Sequence, residues 1–246
     1  MQSLEYKRIE KLENIHFWYK AMEEMILYLV KQNVKGRVNI LDAGCGTGGL
    51  SEKMESFGRV TAIDINPVAL KIAREKKIDK LLKASVERLP FQDNSFHLIV
   101  SLDVLYHQKV KSDIKALSEL YRVLKPGGVL ILRLPAFEFL RGAHDIVVQT
   151  RHRYTTYEVS KKMQQAGFKI KKLSYVNMLL SIPLFVKRSY ERFYKKHSLV
   201  SDTILLPELL NKIFYFILKN DNKLLKFINL PFGSSVLSIG LKNPIP

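Results

Sequence analysis

The chain carries a single cysteine, Cys45, among its 246 residues. One thiol cannot close an internal disulfide, and it cannot supply the roughly four Cys and His ligands of a structural zinc site, so disulfide-stapled and zinc-stapled scaffolds are excluded. A reducing, cytoplasmic compartment is expected. Long apolar runs are also missing. A membrane-spanning helix takes about 20 mostly apolar residues; the longest such stretch, residues 175–186, is shorter and is interrupted by Asn177, Ser181 and Pro183. No transmembrane helix is expected. The opening segment, MQSLEYKRIEKLENIHFWYK, is charged and amphipathic and lacks the apolar centre of an export signal. There is no internal repeat, low-complexity tract or Ser/Gly linker, and 47% hydrophobic residues suffice for a sizeable core. A single domain over residues 1–246 follows, at the upper size for one core.

Acidic residues are the other scarcity. Lys and Arg number 40 against 23 Asp and Glu, giving +17, and the excess is uneven: residues 1–150 carry +5 and residues 151–246 carry +12. A basic surface attracts phosphate, whether in nucleic acid, in anionic lipid or on a phosphorylated small molecule. A solvated basic face on a Lys-rich soluble protein gives the same count, so charge alone selects no partner.

Short apolar runs that end in turns mark buried strands at 38–42 (VNILD), 60–64 (VTAID), 96–102 (FHLIVSL) and 129–134 (VLILRL), the last introduced by Pro126-Gly127-Gly128. Helical spacing fills the gaps at 68–76 and 114–124. Strands alternating with helices predict a doubly wound α/β sheet. Two later strands are expected at about 168–176 and at 235–241. The residues between them have amphipathic helical spacing, notably at 207–218, and form a helical cap inserted between the last two strands, residues 177–233.

The chemistry concentrates in Asp42-Ala43-Gly44-Cys45-Gly46-Thr47-Gly48-Gly49, a glycine-rich loop between the first strand and a helix starting near Leu50. Glycines let the chain turn tightly and let a ligand approach the main chain. Asp64 closes the second strand, at the spacing where a carboxylate takes both hydroxyls of an adenosine ribose. Gly44, Gly46 and Gly49 also satisfy a dinucleotide-binding pattern, so the glycines alone do not separate nicotinamide cofactors from S-adenosylmethionine. Asp42 favours the latter, because a carboxylate there attracts a cationic amino group and repels a pyrophosphate.

Taken in order and spacing, DAGCGTGG, AIDIN, ASVERLPF, FHLIVSLDVLYH and LYRVLKPGGVLIL closely resemble the class I S-adenosylmethionine-dependent methyltransferases, best the small-molecule type 11 group. The resemblance covers about residues 38–134. It implies a Rossmann-like seven-stranded sheet with a reversed last strand and S-adenosyl-L-methionine as cofactor. It implies that Gly44, Gly46 and Gly48, with Cys45, line the methionine part, that Asp64 holds the ribose next to Ile65, and that Ser85 and Val86 flank the adenine, Ser85 standing where the family usually has an acidic residue. Asp42 and Asp103 complete the expected cofactor set. Residues 1–37 would form lid helices, with His16-Phe17-Trp18-Tyr19 closing over the cofactor, residues 38–135 the cofactor core, and residues 136–160 a substrate loop. His144-Asp145-Ile146 with Arg151-His152-Arg153-Tyr154-Thr155 looks like a segment of a branch associated with surface-polysaccharide and lipid-linked glycan pathways.

Methyl transfer is an in-line displacement in which alignment and exclusion of water dominate. For a hydroxyl or protonated amine acceptor a general base helps. His107, just beyond the fourth strand, meets that positional requirement; His144 with Asp145 as charge partner is the second candidate. Tyr106 is expected as a wall of the methyl pocket, and Arg151, Arg153 and Tyr154 as recognition for an anionic group on the acceptor. A thiolate mechanism on cytosine is set aside because Cys45 belongs to the glycine loop. The Asn/Asp-Pro-Pro-aromatic tetrapeptide of nucleic-acid amino methylation is absent, and no His/Asp/Glu cluster has metal-ligand spacing. The expected acceptor is a small molecule or a lipid- or glycan-linked group, methylated at oxygen without a metal. Leu173 to Lys196 mixes apolar residues with Lys187, Arg188, Arg192, Lys195 and Lys196, which suits peripheral contact with an anionic membrane and equally suits a core helix with a solvated far face. Two alternatives stand: an RNA methyltransferase, against which no RNA-binding module is seen, and a non-catalytic module that binds S-adenosylmethionine.

Overall fold

The computed structural model describes residues 3–193 and 205–244. Lys195 and Lys196 of the basic segment, and the side chain of Arg192, lie outside the described residues. Val38–Ala43 (β1), Gly58–Asp64 (β2), Lys80–Lys83 (β3), Phe96–Leu102 (β4), Leu124–Pro135 (β5), Lys169–Val176 (β6) and Ser235–Leu241 (β7) form one sheet in the order β3-β2-β1-β4-β5-β7-β6. The first five strands are parallel, and β7 runs antiparallel between β5 and β6. This is the Rossmann-like sheet with a reversed last strand that the motifs imply.

Along the central strands, alternate side chains serve opposite faces. Leu98 and Val100 of β4 and Ile131 of β5 pack in one apolar cluster with Met25 and Ile26 of the helix Phe17–Asn33 (α2). Ile99, Leu130 and Leu132 pack in the other, against Leu117 and Leu120 of Asp113–Val123 (α5) and Met163 of Thr156–Gln165 (α7). Four helices start where a polar side chain accepts a free backbone N–H, His16 before α2, Asn66 before Pro67–Ala73 (α4), Ser112 before α5 and Thr155 before α7, whereas Gly49–Met54 (α3) starts from the left-handed Gly48 with no side-chain cap. Ser3–Leu12 (α1) packs on α4 through Tyr6, Ala69 and Ile72.

Several boundaries differ from the sequence expectation. β3 is a separate four-residue strand ahead of Ala84, too short and too Lys-rich to show as an apolar run. β5 begins at Leu124, before the Pro126-Gly127-Gly128 turn, because Leu124 pairs with Phe96 ahead of a register shift. α4 ends at Ala73, three residues short of the expected end. Between β6 and β7 lie Met178–Phe193 (α8) and Glu208–Leu224 (α9), the latter longer than expected and packed on α2.

Candidate active site

The carboxyl ends of β1, β2, β4 and β5 open into a cavity of about 520 Å³ roofed by α1, α2 and α8. Its floor is the glycine loop. Gly44, Gly46 and Gly48 all have left-handed backbones, with φ of 102°, 54° and 81°. Gly44 lies so close to Val104 that a Cβ there would stand 2.2 Å from Cγ2, whereas a Cβ on Gly46 would meet nothing within 4 Å and would project into open space. The N–H groups of Gly44 and Cys45 both donate to the Ile63 carbonyl, at 2.9 Å. Gly46 N–H donates to Asp64 Oδ2 at 3.0 Å and Asn66 N–H to Asp64 Oδ1 at 2.7 Å. The Asp64 carboxylate is thus pinned by backbone from two sides, at the end of β2, beside the loop.

Asp42 is buried, accepts the Ser51 hydroxyl at 2.5 Å, and is pushed up to about 7 by burial. Burial also raises Asp64, against the pull of its backbone donors, and raises the Cys45 thiol, which makes that thiol a poor nucleophile. The N-terminal segment is wired to the loop: the Thr47 hydroxyl donates to Glu13 Oε2 at 2.5 Å, and Lys76 donates to Oε1 at 3.1 Å. Tyr6 of α1 stands beside Asp64 and Asn66. Ile65, Ser85 and Val86 line the far end of the cavity, with Val86 buried and Ile65 exposed.

Across β4 from the glycine loop the cavity changes character. Asp103, in a left-handed conformation at φ 53°, accepts from Arg133 Nη2 of β5 at 2.5 Å. The Trp18 ring centroid stands 4.5 Å from the Arg133 guanidinium carbon. Tyr106 is buried in the wall, and His144, from the short helix Ala143–Val147 (α6), lines the cavity near Asp103, which burial raises against the pull of Arg133. His107 Nδ1 accepts the Lys109 N–H at 3.0 Å, and burial pushes this imidazole down to about 4. A neutral ring whose Nδ1 accepts carries its proton on Nε2 and presents a donor there.

Asp145 accepts from Gly142 N–H at 2.8 Å and from Arg153 Nε at 3.1 Å. Its carboxylate is therefore spent on starting α6 and on Arg153. Of the three residues expected to bind an acceptor anion from the 151–154 segment, only Arg153 lines the cavity. Arg151 turns inward to Asp113 and to the Leu105 carbonyl, and Tyr154 is buried with its hydroxyl donating to Leu105 O at 3.2 Å. Both serve the packing of α5 against the loop that carries α6, because the buried Asp113 carboxylate requires cations, here Arg151 and Lys162.

Sequence reasoning missed Tyr6, Glu13, Lys109, Arg133 and Arg188 as cavity residues. A visible signal existed for Arg133, a charge inside the apolar run VLILRLP. Among the described residues no group of three or more His, Cys, Asp or Glu is placed to hold a metal ion, and no helix is long and apolar enough to cross a membrane.

Residues 41–132 match the family Methyltransf_11, described as a methyltransferase domain. A ubiquinone/menaquinone biosynthesis C-methyltransferase UbiE of Shewanella piezotolerans is 36% identical over 137 residues, covering 51% of this chain and 52% of that protein. A malonyl-[acyl-carrier protein] O-methyltransferase of Buchnera aphidicola is 44% identical over 97 residues, 38% of each. The chain thus spans about half, or less, of the length of these relatives. Among solved structures, a Haloferax volcanii chain in complex with the Trm112 methyltransferase activator superposes with a TM-score of 0.63 at 16% identity, covering 96% of this chain and 94% of that one. Phosphoethanolamine N-methyltransferase 2 of Haemonchus contortus, in complex with S-adenosyl-L-methionine, does so with a TM-score of 0.57 at 19% identity, covering 88% and 52%. These likenesses share the fold. Residues 41–132 of this chain are thus similar to a methyltransferase domain, and the curated relatives that share this segment are methyltransferases.

Proposed function

We propose that the protein transfers a methyl group from S-adenosyl-L-methionine to a small-molecule or lipid- or glycan-linked acceptor, at oxygen, without a metal. The observation that carries this reading is the pinned Asp64 carboxylate beside a left-handed glycine loop, opening into one cavity with Asp103, His144 and Arg153. The residues fit the cofactor. Asp64 offers a carboxylate to the two ribose hydroxyls, Asp42 a buried carboxylate to an ammonium, Gly46 open space beside the main chain, and Ile65, Ser85 and Val86 a pocket for a base. When bound, S-adenosylmethionine supplies an electrophilic methyl group and departs as a neutral thioether.

The chain's own residues then have three tasks. α1 and α2 exclude water from above the loop through Tyr6, His16 and Trp18. Tyr106 and Asp103 bound the space where the acceptor oxygen approaches. His144 accepts the proton that oxygen loses; His107, a neutral ring whose Nδ1 already accepts the Lys109 N–H, suits orientation of the acceptor better than deprotonation.

The acceptor's attachment to a lipid is supported by α8 and α9. Their inner sides line the cavity with Leu180, Leu184 and Leu218. Their outer sides carry apolar stripes at helical spacing: Leu179, Ile182, Val186, Tyr190 and Phe193 on α8, and Leu209, Ile213, Phe216 and Leu224 on α9, continued by Phe227. All of these are exposed, Phe193 and Phe227 to 81% and 84%. Lys212, Lys219, Lys223 and Lys226 flank the α9 stripe, the pattern of a helix lying in an anionic interface.

The test is a thermal-shift titration with S-adenosylmethionine, S-adenosylhomocysteine and NADH on the wild type and Asp64→Ala. Ligand at about a hundred times its Kd adds about 2.7 kcal/mol, or roughly 5 to 10 °C at this size. The expected result is a shift with the two sulfur nucleosides that Asp64→Ala abolishes. A shift with NADH alone overturns the proposal.

A further inference from the structure

Arg133 is the most deeply buried charged side chain facing the cavity, at 2% exposure. Its Nη2 donates to Asp103, while Nε and Nη1 are buried and have no hydrogen-bond partner among the described residues. Arg153 and Arg188 line the same cavity, and each has a carboxylate within 3.1 Å: Asp145 for the first, Glu191 for the second. All three guanidinium groups have a carboxylate, Asp103 serving Arg133; what sets Arg133 apart is that two of its nitrogens, Nε and Nη1, are buried and unspent. A buried cationic donor left unpaired is costly, and native sites keep such groups where a ligand completes them.

Position decides which ligand. Arg133 pairs across from Leu102, so it lies on the β5 side of β4, with Asp103 between it and the glycine loop. That side belongs to the acceptor, together with Tyr106, His144 and Arg153, and is separated by β4 from Asp42 and Asp64 at the ends of β1 and β2. The Trp18 ring over the guanidinium excludes water and raises the strength of any charge-assisted bond made there.

We propose that Arg133 is the anion-recognition residue of the acceptor pocket, binding a carboxylate or phosphate carried by the acceptor through one of the two nitrogens that Asp103 leaves unused. This deepens the reading of an acceptor pocket above, and it rests on that reading. It also adds a specificity element that the 151–154 segment alone lacks, since Arg151 faces inward.

Trp18 is the only tryptophan in the chain, so its fluorescence reports on this one place. The experiment titrates the wild type, saturated with S-adenosylhomocysteine, with inorganic phosphate and with acetate at constant ionic strength set by chloride. The two probes separate phosphate from carboxylate as the recognised group. Arg133→Met removes the donors, and Arg133→Lys keeps the charge for Asp103 should the first variant fail to fold.

The expected result is a saturable Trp18 response to at least one of the two anions, weakened by at least about tenfold in Arg133→Met and by less in Arg133→Lys. Affinity for S-adenosylhomocysteine should stay within about threefold of the wild type in Arg133→Lys, which keeps a cation beside Asp103, and should fall less than anion affinity in Arg133→Met. No Trp18 response to either anion in the wild type, or an equal response in the lysine and methionine variants and the wild type, overturns the proposal. So does loss of S-adenosylhomocysteine binding with retained binding of 5′-methylthioadenosine, which would assign Arg133 to the cofactor's carboxylate. Failure of the methyl-transfer reading shows separately, as absence of the sulfur-nucleoside thermal shift in the wild type.

Discussion

The two halves of the cavity are built differently. On the β1–β2 side, the carboxylates and the glycine loop are fixed by the loop and its flanking elements: Asp64 by the N–H groups of Gly46 and Asn66, the loop by the Ile63 carbonyl, and Asp42 by the Ser51 hydroxyl. On the β4–β5 side, the groups are held by pairs among side chains from separate segments: Arg133 with Asp103 and Trp18, and Arg153 with Asp145. A site fixed by local backbone is tied to one ligand shape and tolerates little change. A site assembled from distant side chains can be rebuilt for different acceptors without disturbing the sheet, the usual way one fold hosts many substrates.

The sharpest way to break this comparison is at the loop. Gly44 combines a φ of 102° with a Cβ position 2.2 Å from Val104 Cγ2. Gly44→Ala should therefore combine backbone strain with overpacking, for a loss of about 2 to 5 kcal/mol. Gly36→Ala, also left-handed but with nothing within 4 Å of the added atom, should lose only about 1 kcal/mol. Chemical denaturation of the two variants measures the difference; equal losses would mean that the loop is not held against β4 as described.

That rigidity explains what could be read from the sequence. Asp42, Gly44, Gly46, Gly48 and Asp64 lie in two short segments whose spacing is set by one strand, one turn and the next strand, so their convergence is a local matter. Arg133, Trp18 and Glu13 reach the cavity only through tertiary packing, and no spacing announces that. Arg151 and Tyr154 were grouped with Arg153 because they are adjacent; alternation along an extended segment turns Tyr154 away from Arg153 but leaves Arg151 in phase with it, so the pairing of Arg151 with Asp113 is a tertiary contact that no spacing announces. Arg153 took the cavity side, and the other two took the side of the buried Asp113 carboxylate. The doubly wound α/β class followed from alternating strands and helices and the reversed last strand from the family resemblance, while β3 escaped notice because KLLK carries a charge at each end of its two apolar residues.

A smaller effect, readable by pH, sharpens the role of the β1 carboxylate. Burial pushes Asp42 up to about 7 in the folded protein, against about 4 for an unfolded Asp. A folded state that holds a proton more tightly than the unfolded chain is stabilised at low pH and loses that advantage as pH rises from about 4 through about 7. The melting temperature of the ligand-free wild type should accordingly fall relative to Asp42→Asn across that interval, by the equivalent of at most about 4 kcal/mol. With S-adenosylhomocysteine bound the order should reverse at pH 8, since the ligand's ammonium favours an ionised carboxylate and gains nothing from an amide. Parallel melting curves at all pH values, with and without ligand, would remove Asp42 from the binding site.

The smallest effect on stability belongs to the cap, and it is the one that separates a membrane-borne acceptor from a free one. Phe216 and Phe227 are exposed to 65% and 84%, so replacing both with Ser removes little buried area and should change stability by no more than about 0.5 kcal/mol each. If α9 lies in an anionic interface, the same double variant should lose most of its binding to vesicles rich in phosphatidylglycerol. The wild type should bind such vesicles well, bind neutral phosphatidylcholine vesicles weakly, and come off the anionic ones more readily at high salt, because its lysines act through a screened attraction while its phenylalanines do not. Co-sedimentation at low and high salt reads all of these at once. Retention of vesicle binding by the double variant would put any lipid contact elsewhere on the +12 half of the chain, and absence of binding by the wild type would leave the stripes to an apolar partner surface and the acceptor to be sought among soluble molecules.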